Sequence, residues 1–367
     1  MMSKILISGY HGYGNCGDEA ILVAMIRNLR QLQPGLDLVA LSKLQDQTAL
    51  VYGIRCVNRF NLLQIIREMR SADLVLSGGG SLLQDVTSNR SLYYYLGIIL
   101  LARLLRRPVM LYANGIGPIN RRYNHRLTRC ILNLTQTITL RDSESCVLLK
   151  KLGVDRPGLQ VTADPVLTLA PVAGDRALNI CRAEGIDIDR PLVGISVRPW
   201  KAGTDFLPRM AAITDALVEQ GREVLFFPLH QSDDVRAITQ VQALCRQPSH
   251  LLRGSYSAED IMSVIGLCQV FISMRLHGMV FAAVENVPMI GLVYDPKVQS
   301  FLDSLQQPGI ADLDQLDPES FLEMIARVER EREKLAAGLE ARIKGLREQA
   351  RRNDQIVMEM LSKRYKA

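Results

Sequence analysis

Aromatic residues are scarce in this sequence of 367 residues: they make up 5% of it, and Trp200 is the single tryptophan. Surfaces that bind nucleic acid by stacking bases need several exposed aromatic rings. The shortage therefore argues against a nucleic-acid partner. The net charge of +6 is modest, and it suits anionic small molecules or an anionic membrane surface better than nucleic acid.

Paired cysteines and long apolar segments are also missing. The seven cysteines are an odd number without a Cys-x-x-Cys pair, which predicts reduced thiols and argues against a disulfide framework or a zinc site. We expect no bound metal and no cofactor. The longest apolar run, residues 96–105, contains Arg103 and is too short to span a bilayer. Since the N-terminus also lacks the apolar region of a signal peptide, we expect a cytoplasmic protein.

The sequence does contain two series of strand-like apolar runs that alternate with helical periods. Alternation of this kind predicts βαβ units and parallel sheets. We therefore predict an α/β protein with two Rossmann-like domains, in residues 1–170 and 171–315. A charged helical segment follows at 316–367, and we expect it to pack across the domains as a closing helix.

The first glycine-rich loop, residues 12–17, has the pattern G-x-G-x-x-G between a predicted strand and a predicted helix. Alone it would indicate a dinucleotide site. However, Asp18 and Glu19 follow it at the helix N-terminus, where a pyrophosphate would sit. The next strand also lacks the acidic residue that would hold a ribose. Carboxylates at this place suit hydroxyl ligands, or they cap the helix, and both interpretations remain open.

Two further glycine-rich loops follow predicted strands, at 78–80 and 114–118. Open α/β sheets bind ligands at the carboxyl ends of their strands, so three such loops on one sheet edge predict a binding face. Ser81 is placed to cap the next helix. Asp85, one turn beyond the glycines, is placed to face the same edge.

In the second half, four side chains follow the ends of predicted strands: Arg198, Arg275, His277 and Lys297. We expect them to converge on one crevice. Arginine offers two-nitrogen contacts to carboxylate or phosphate, and lysine adds a compact charge, so the set suits a small polyanion. Bound negative charge would favour the protonated form of His277, which makes it a candidate general acid.

Five motifs occur in a fixed order: 9–22 (GYHGYGNCGDEAIL), 78–85 (GGGSLLQD), 141–145 (RDSES), 163–165 (ADP) and 275–278 (RLHG). Together they resemble the polysaccharide pyruvyl transferase family, in particular its CsaB-like members, over residues 1–300. The resemblance implies two domains facing across a cleft as in GT-B glycosyltransferases. It also implies phosphoenolpyruvate as the donor, used as a co-substrate, and a sugar acceptor. In the CsaB branch this acceptor is a cell-wall precursor on polyprenyl diphosphate.

The resemblance also assigns roles to residues of both domains. It implies a donor site in the second domain, formed by Arg198, Arg275, Leu276, His277 and Lys297 and reached by Arg141 from the first domain. His277 would be the acid, and Asp18, Glu19 or Asp85 would act on the acceptor hydroxyl. The acceptor side would lie in the first domain, and its binding residues would be Gly14, Asn15, Asp18, Glu19, Gly79, Gly80 and Asn114.

Three rival functions remain open. A GT-B glycosyltransferase that uses a nucleotide sugar would share the fold, and a fold does not determine a function. A non-catalytic binding protein and an NAD-dependent oxidoreductase are the others. The apolar stretch 92–107 admits peripheral contact with the inner face of the membrane, although a buried helix is the favoured interpretation.

Overall fold

The computed structural model describes residues 3–86, 88–155, 158–171, 174–201 and 205–364. The chain forms two compact units. Unit 1 contains Met1–Thr168 and Leu346–Ala367, and unit 2 contains Leu169–Gly345. The C-terminal segment that we treated as one piece from residue 316 is therefore divided between the two units.

Unit 1 is built on a seven-stranded parallel sheet. Its strands are β1 (Lys4–His11), β2 (Asp37–Ser42), β3 (Arg55–Asn58), β4 (Leu74–Gly78), β5 (Val109–Asn114), β6 (Thr137–Leu140) and β7 (Leu159–Val161). Its helices up to residue 168 are α1 (Cys16–Leu32), α2 (Gln45–Tyr52), α3 (Leu62–Ser71), α4 (Asn89–Leu104), α5 (Arg122–Leu132) and α6 (Ser143–Lys151), and a 3-10 turn follows at Pro165–Thr168.

The strand order in unit 1 is β3-β2-β1-β4-β5-β6-β7. Ile5, Leu6 and Ile7 of β1 are all fully buried, as expected for a parallel sheet whose two faces are both covered by helices. The order reverses direction between β1 and β4. The loops that follow these two strands therefore diverge, and this is the place where such sheets bind ligands.

Unit 2 contains a second parallel sheet with six strands. They are β8 (Leu192–Ser196), β9 (Glu223–Phe226), β10 (His250–Leu251), β11 (Val270–Ser273), β12 (Met289–Leu292) and β13 (Gly309–Ile310), in the order β10-β9-β8-β11-β12-β13. The helices are α7 (Gly174–Ala183), α8 (Phe206–Glu219), α9 (Gln231–Gln242), α10 (Ala258–Ile265), α11 (Leu276–Val284), α12 (Pro296–Leu305) and α13 (Pro318–Arg330). Here the order reverses between β8 and β11.

A long final helix, α14 (Arg332–Arg364), ends the described chain. Leu339 and Ile343 of its predicted apolar stripe are buried. Its later half belongs to unit 1, where Asp354 accepts hydrogen bonds from the Tyr112 hydroxyl at 2.5 Å and from Asn28 Nδ2 at 2.9 Å. The C-terminal helix therefore supplies buried polar contacts as well as apolar ones.

The longest apolar run lies in α4, where Leu96 and Ile99 pack into the core of unit 1. The apolar run is thus part of a helix that packs on the core, which is the interpretation favoured from the sequence. Over the residues that the structure describes, none of the helices is both long enough and apolar enough to cross a membrane.

Candidate functional site

The glycine loop after β1 is braced by Glu19. Asn15 caps α1 by accepting a hydrogen bond from the Gly17 N–H. Glu19 Oε1 accepts from the Gly12 N–H at 2.7 Å, and its Oε2 accepts from the Tyr52 hydroxyl at 2.9 Å. Burial raises the pKa of Glu19, although both hydrogen bonds act against the rise. Each oxygen of Glu19 therefore already holds the loop in place.

Asp18 lies against the glycines that follow β4. Gly79 and Gly80 have φ values of 62° and 72°, which only glycine adopts readily. A Cβ atom on Gly80 would clash with Asp18 Oδ1, and one on Gly79 would clash with Ile21 of α1. The absence of side chains thus lets the β4 loop touch the first turn of α1. Asp18 and both glycines consequently meet at the β1/β4 switch point.

Asp85 braces a different loop. Its carboxylate accepts hydrogen bonds from the Asn120 N–H at 2.8 Å, the Arg121 N–H at 3.1 Å and Asn124 Nδ2 at 2.8 Å. Burial would raise the pKa of Asp85, but these three donors outweigh burial and lower it. A carboxylate stabilised in its charged form by three donors is a weak base. We therefore do not include Asp85 in the mechanism proposed below.

Two other predicted acceptor residues shape the edge of the sheet. Asn114 is fully buried, and its Nδ2 donates to the carbonyl oxygens of Ser77 at 2.7 Å and Tyr112 at 3.1 Å. It thereby ties the end of β5 to β4. Gly14 is exposed in the loop before α1 and has a φ of 70°.

Arg141 connects three of the sequence motifs within unit 1. It follows β6, and its Nη1 donates to Asp164 Oδ2 at 2.8 Å while its Nη2 donates to Ser81 Oγ at 3.2 Å. Its side chain is 6% exposed. The RDSES, ADP and GGGSLLQD motifs are thus joined by one guanidinium. Asp164 is a residue whose role no sequence pattern indicates, although it lies in the ADP motif.

The basic residues of unit 2 gather at the carboxyl edge of its sheet. Arg198 follows β8, and its Cζ lies 4.6 Å from the centroid of the Tyr294 ring, which follows β12. Since β11 lies between β8 and β12, this contact passes over the end of β11, where Arg275 and His277 begin α11. Lys297 lies in the first turn of α12, three residues after Tyr294 in the sequence. The contact between Arg198 and Tyr294 shows that the segments after β8 and β12 lie close together, and the convergence of all four predicted residues stays a prediction.

Arg275 is held by a buried carboxylate that the sequence analysis missed. Its Nε lies 3.1 and 3.2 Å from the two oxygens of Asp234, and its Nη2 also donates to Asp234. Asp234 is fully buried and accepts from the backbone N–H groups of Leu229 at 3.1 Å and His230 at 2.9 Å. The carboxylate is thus fixed on two sides, and it fixes the direction of the guanidinium.

The RLHG motif places a helix N-terminus at this edge. Gly278 allows α11 to start close to β11, because a Cβ atom there would lie 2.7 Å from Ser273 Oγ and 2.9 Å from Phe271 Cε1. Arg275 is the N-cap residue, but its side chain makes no capping hydrogen bond. Leu276 and His277, both half-buried, form the first turn. Helix N-termini of this kind favour anions.

No three His, Cys, Asp or Glu side chains in the described part of the chain are grouped so that they could hold a metal ion.

Comparison with known proteins gives a family match over most of the chain. Residues 15–296 match the family described as polysaccharide pyruvyl transferase. The chain is also 20% identical over 373 residues to the amylovoran biosynthesis protein AmsJ of Erwinia amylovora, a match that covers 84% of this chain and 87% of AmsJ.

Solved structures share the fold at low sequence identity. HepE from Anabaena, in complex with UDP-glucose, matches with a TM-score of 0.66 at 11% identity, covering 98% of this chain and 99% of HepE. The UDP-GlcNAc 2-epimerase of Neisseria meningitidis matches with a TM-score of 0.63 at 14% identity, covering 98% of this chain and all of the epimerase. These likenesses confirm the predicted fold class, two Rossmann-like units of GT-B type, and at such identities they show the fold alone.

Proposed function

Since this chain belongs to the polysaccharide pyruvyl transferase family, we propose that it transfers pyruvate from phosphoenolpyruvate to a sugar, forming a ketal and releasing phosphate. Family membership and the similarity to a polysaccharide biosynthesis protein support a transferase of polysaccharide synthesis. One structural observation supports the donor: Arg198 and Arg275 follow β8 and β11, which are neighbours in the unit 2 sheet, so two arginines lie at the same edge.

The donor carries a phosphate and a carboxylate, and the edge of unit 2 offers groups for both. Arg198 supplies a guanidinium group that suits a two-oxygen anion. Arg275 binds Asp234 through Nε and Nη2, so its contact with the donor would come from Nη1. Lys297 supplies a further cation, and the first turn of α11 adds backbone N–H groups at Leu276 and His277. Binding through several fixed groups would orient the enol carbon for attack.

In the proposed chemistry His277 is the general acid, giving a proton either to the methylene carbon or to the departing phosphate. The oxygen of one sugar hydroxyl bonds to the former enol carbon, and the methylene carbon becomes a methyl group. The bond from that carbon to the phosphate oxygen then breaks while a second hydroxyl oxygen attaches. The two hydroxyl protons balance the proton gained by the methyl group and the one carried off by phosphate.

On the acceptor side we assign the base to Asp18. The assignment follows from its place at the β1/β4 switch point, where its Oδ1 lies against the backbone of Gly80, whereas Asp85 is a weak base because three donors hold it. The role of Arg141 in donor binding stays a prediction, since the hydrogen bonds of Arg141 described above all go to residues of unit 1.

As the acceptor we propose a hexose or N-acetylhexosamine of a CsaB-like cell-wall precursor, lipid-linked and used at the cytoplasmic face of the membrane.

Isothermal titration with phosphoenolpyruvate tests the donor, with UDP and NAD as comparators. We expect wild-type protein to bind phosphoenolpyruvate and Arg275→Ala to lose that binding. Arg246→Ala is the matched control, because Arg246 is also paired with a buried aspartate of unit 2 but its side chain is 79% exposed. Tight UDP binding without phosphoenolpyruvate binding would instead support a glycosyltransferase.

Phosphate release tests the acid. His277→Ala should retain phosphoenolpyruvate binding and lose turnover by about a hundredfold or more, the usual contribution of general acid catalysis. If turnover stayed within a few-fold of wild type, His277 would not be the acid.

A further inference from the structure

A groove of about 570 Å³ lies on the outer part of the unit 1 sheet, away from every residue placed in the chemistry above. Its lining begins at Gln45, just after β2, and continues through Asn58 at the end of β3 to the first turn of α3. The groove therefore lies on the carboxyl edge of β2 and β3. That is the edge on which the β1/β4 switch point lies.

The lining combines amide side chains with one exposed ring and two exposed leucines, Leu62 and Leu63. Asn58, Asn61, Gln45 and Gln64 supply four amides, and Phe60 is 67% exposed. Of the described residues that line the groove, none carries a charge. A lining of uncharged donors, uncharged acceptors and an aromatic face suits a ligand with many hydroxyl groups and no net charge.

Local hydrogen bonds decide which atoms of the amides remain for a ligand. Asn58 Oδ1 accepts from the Phe60 N–H at 2.9 Å, and Asn61 Oδ1 accepts from the Gln64 N–H at 3.1 Å. With their oxygens held by the backbone, these two side chains present their NH₂ groups as donors. Gln45 Oε1 is buried and makes no hydrogen bond to the described residues.

Aromatic contacts connect the groove with the glycine loop. The guanidinium of Arg59 lies 5.6 Å from the ring centroid of Phe60 and 5.1 Å from that of Tyr13. Its Nη1 donates to the carbonyl oxygen of Gly9 at 3.2 Å. Arg59 is 5% exposed, so it acts as a fixed connection from the loop after β1 to the groove. A chain of sugars with one end at the switch point would extend along this edge toward Phe60.

We propose that this groove is a subsite for an uncharged oligosaccharide segment of the acceptor, with the sugars beyond the one that receives pyruvate. The inference rests on the proposed function, because it extends the acceptor of that reaction. The proposal identifies the acceptor as an oligosaccharide, and it implies that a single sugar binds more weakly than the oligosaccharide does.

The test uses the full-length protein and an array of hexose and N-acetylhexosamine oligosaccharides of one to about six sugars, with oligogalacturonates as acidic comparators. Titration then gives dissociation constants for the neutral glycan retained best. We expect that glycan to bind at least about tenfold more tightly than its constituent monosaccharides, a difference well within the range of such sites. Phe60→Ala and Gln64→Ala should each remove most of this gain. Both positions are exposed, so the changes should leave the fold intact.

Leu50→Ala is the matched control, since Leu50 is an apolar residue of unit 1 that is 85% exposed and does not line the groove. This variant should bind the glycan as tightly as wild type.

Phosphoenolpyruvate titration separates the two proposals. Normal donor binding by Phe60→Ala together with lost glycan binding supports the subsite. Absence of donor binding in wild type would refute the proposed function and leave the glycan result standing. Three results would overturn the subsite proposal. The protein binds none of the neutral glycans on the array, it binds the acidic comparators better, or Phe60→Ala binds the glycan as tightly as wild type.

Discussion

Asp354 makes the stability of unit 1 depend on pH in a direction opposite to that of most carboxylates. It is 2% exposed on α14, and burial raises its pKa from 3.8 to about 7, although hydrogen bonds from Tyr112 and Asn28 lower it in part. Between these two values the folded chain binds a proton that the unfolded chain has released. The free energy of unfolding therefore decreases as pH rises from about 4 to about 7.

The size of this effect follows from the two pKa values. At about 1.4 kcal/mol for each pH unit, a rise from 3.8 to about 7 corresponds to about 4 kcal/mol at most. The stabilising contribution is complete below about pH 4 and is lost as pH rises through about 7. Asp354→Asn removes this dependence, because an amide does not titrate.

Asp354→Asn also carries a cost that does not vary with pH. The new amide oxygen can accept from the Tyr112 hydroxyl, but its NH₂ group would face the NH₂ group of Asn28, which now donates to Asp354 Oδ2. The absolute stability of the variant is therefore a poor measure, and the change with pH is the informative one. We expect the variant to gain stability relative to wild type between about pH 4 and about pH 7, by up to about 4 kcal/mol.

Urea unfolding followed by circular dichroism, from about pH 4 to about pH 8.5, measures this difference. Asp260→Asn is the control of opposite sign: hydrogen bonds from Arg176 lower the pKa of Asp260, so its stabilising contribution is present at neutral pH and lost as pH falls. A constant difference between Asp354→Asn and wild type across this range would refute the reasoning, because it would mean that Asp354 stays ionised when buried.

Two further variants test packing and geometry at the edges of the two sheets. Gly80→Ala should destabilise the protein by about 1–3 kcal/mol in thermal unfolding, because it combines a positive φ with a clash; Gly97→Ala, whose added Cβ meets no atom within 4 Å in α4, should instead stabilise it by up to about 1 kcal/mol. Arg275→Lys should weaken phosphoenolpyruvate binding about tenfold or more in titration, because lysine cannot reproduce the two-nitrogen contact with Asp234. Arg246→Lys should leave that binding unchanged, and equal affinities for the two lysine variants would show that the guanidinium geometry does not matter.

The sequence was sufficient to predict the edges of both sheets, because apolar strands that end in glycine or arginine carry a strong local signal. It was not sufficient for the partners of the arginines. Arg141 pairs with Asp164, 23 residues away, and Arg275 pairs with Asp234, 41 residues away. Such pairs arise only when the chain folds, and no spacing rule indicates them.

Two other differences have local physical causes. Asp85 has the position of a catalytic residue, yet three donors from residues 120–124 occupy its carboxylate. The strand β3 (Arg55–Asn58) has no apolar run that would predict it, because Val57 is the one buried residue among its four. Since the groove begins at the end of β3, missing that strand also hid the groove.

The division of the chain between the units has a consequence for synthesis on the ribosome. Unit 2 is an insertion into unit 1: the chain leaves unit 1 at Thr168 and re-enters at Leu346, where Arg347 Nε donates to the Leu167 carbonyl oxygen at 2.9 Å. The side chains that complete unit 1, such as Asn353, which accepts from the Thr162 hydroxyl, are translated after all of unit 2. The unit that begins first is therefore completed last, and in a nascent chain the seven-stranded sheet of unit 1 is made before the later part of α14 that packs on it.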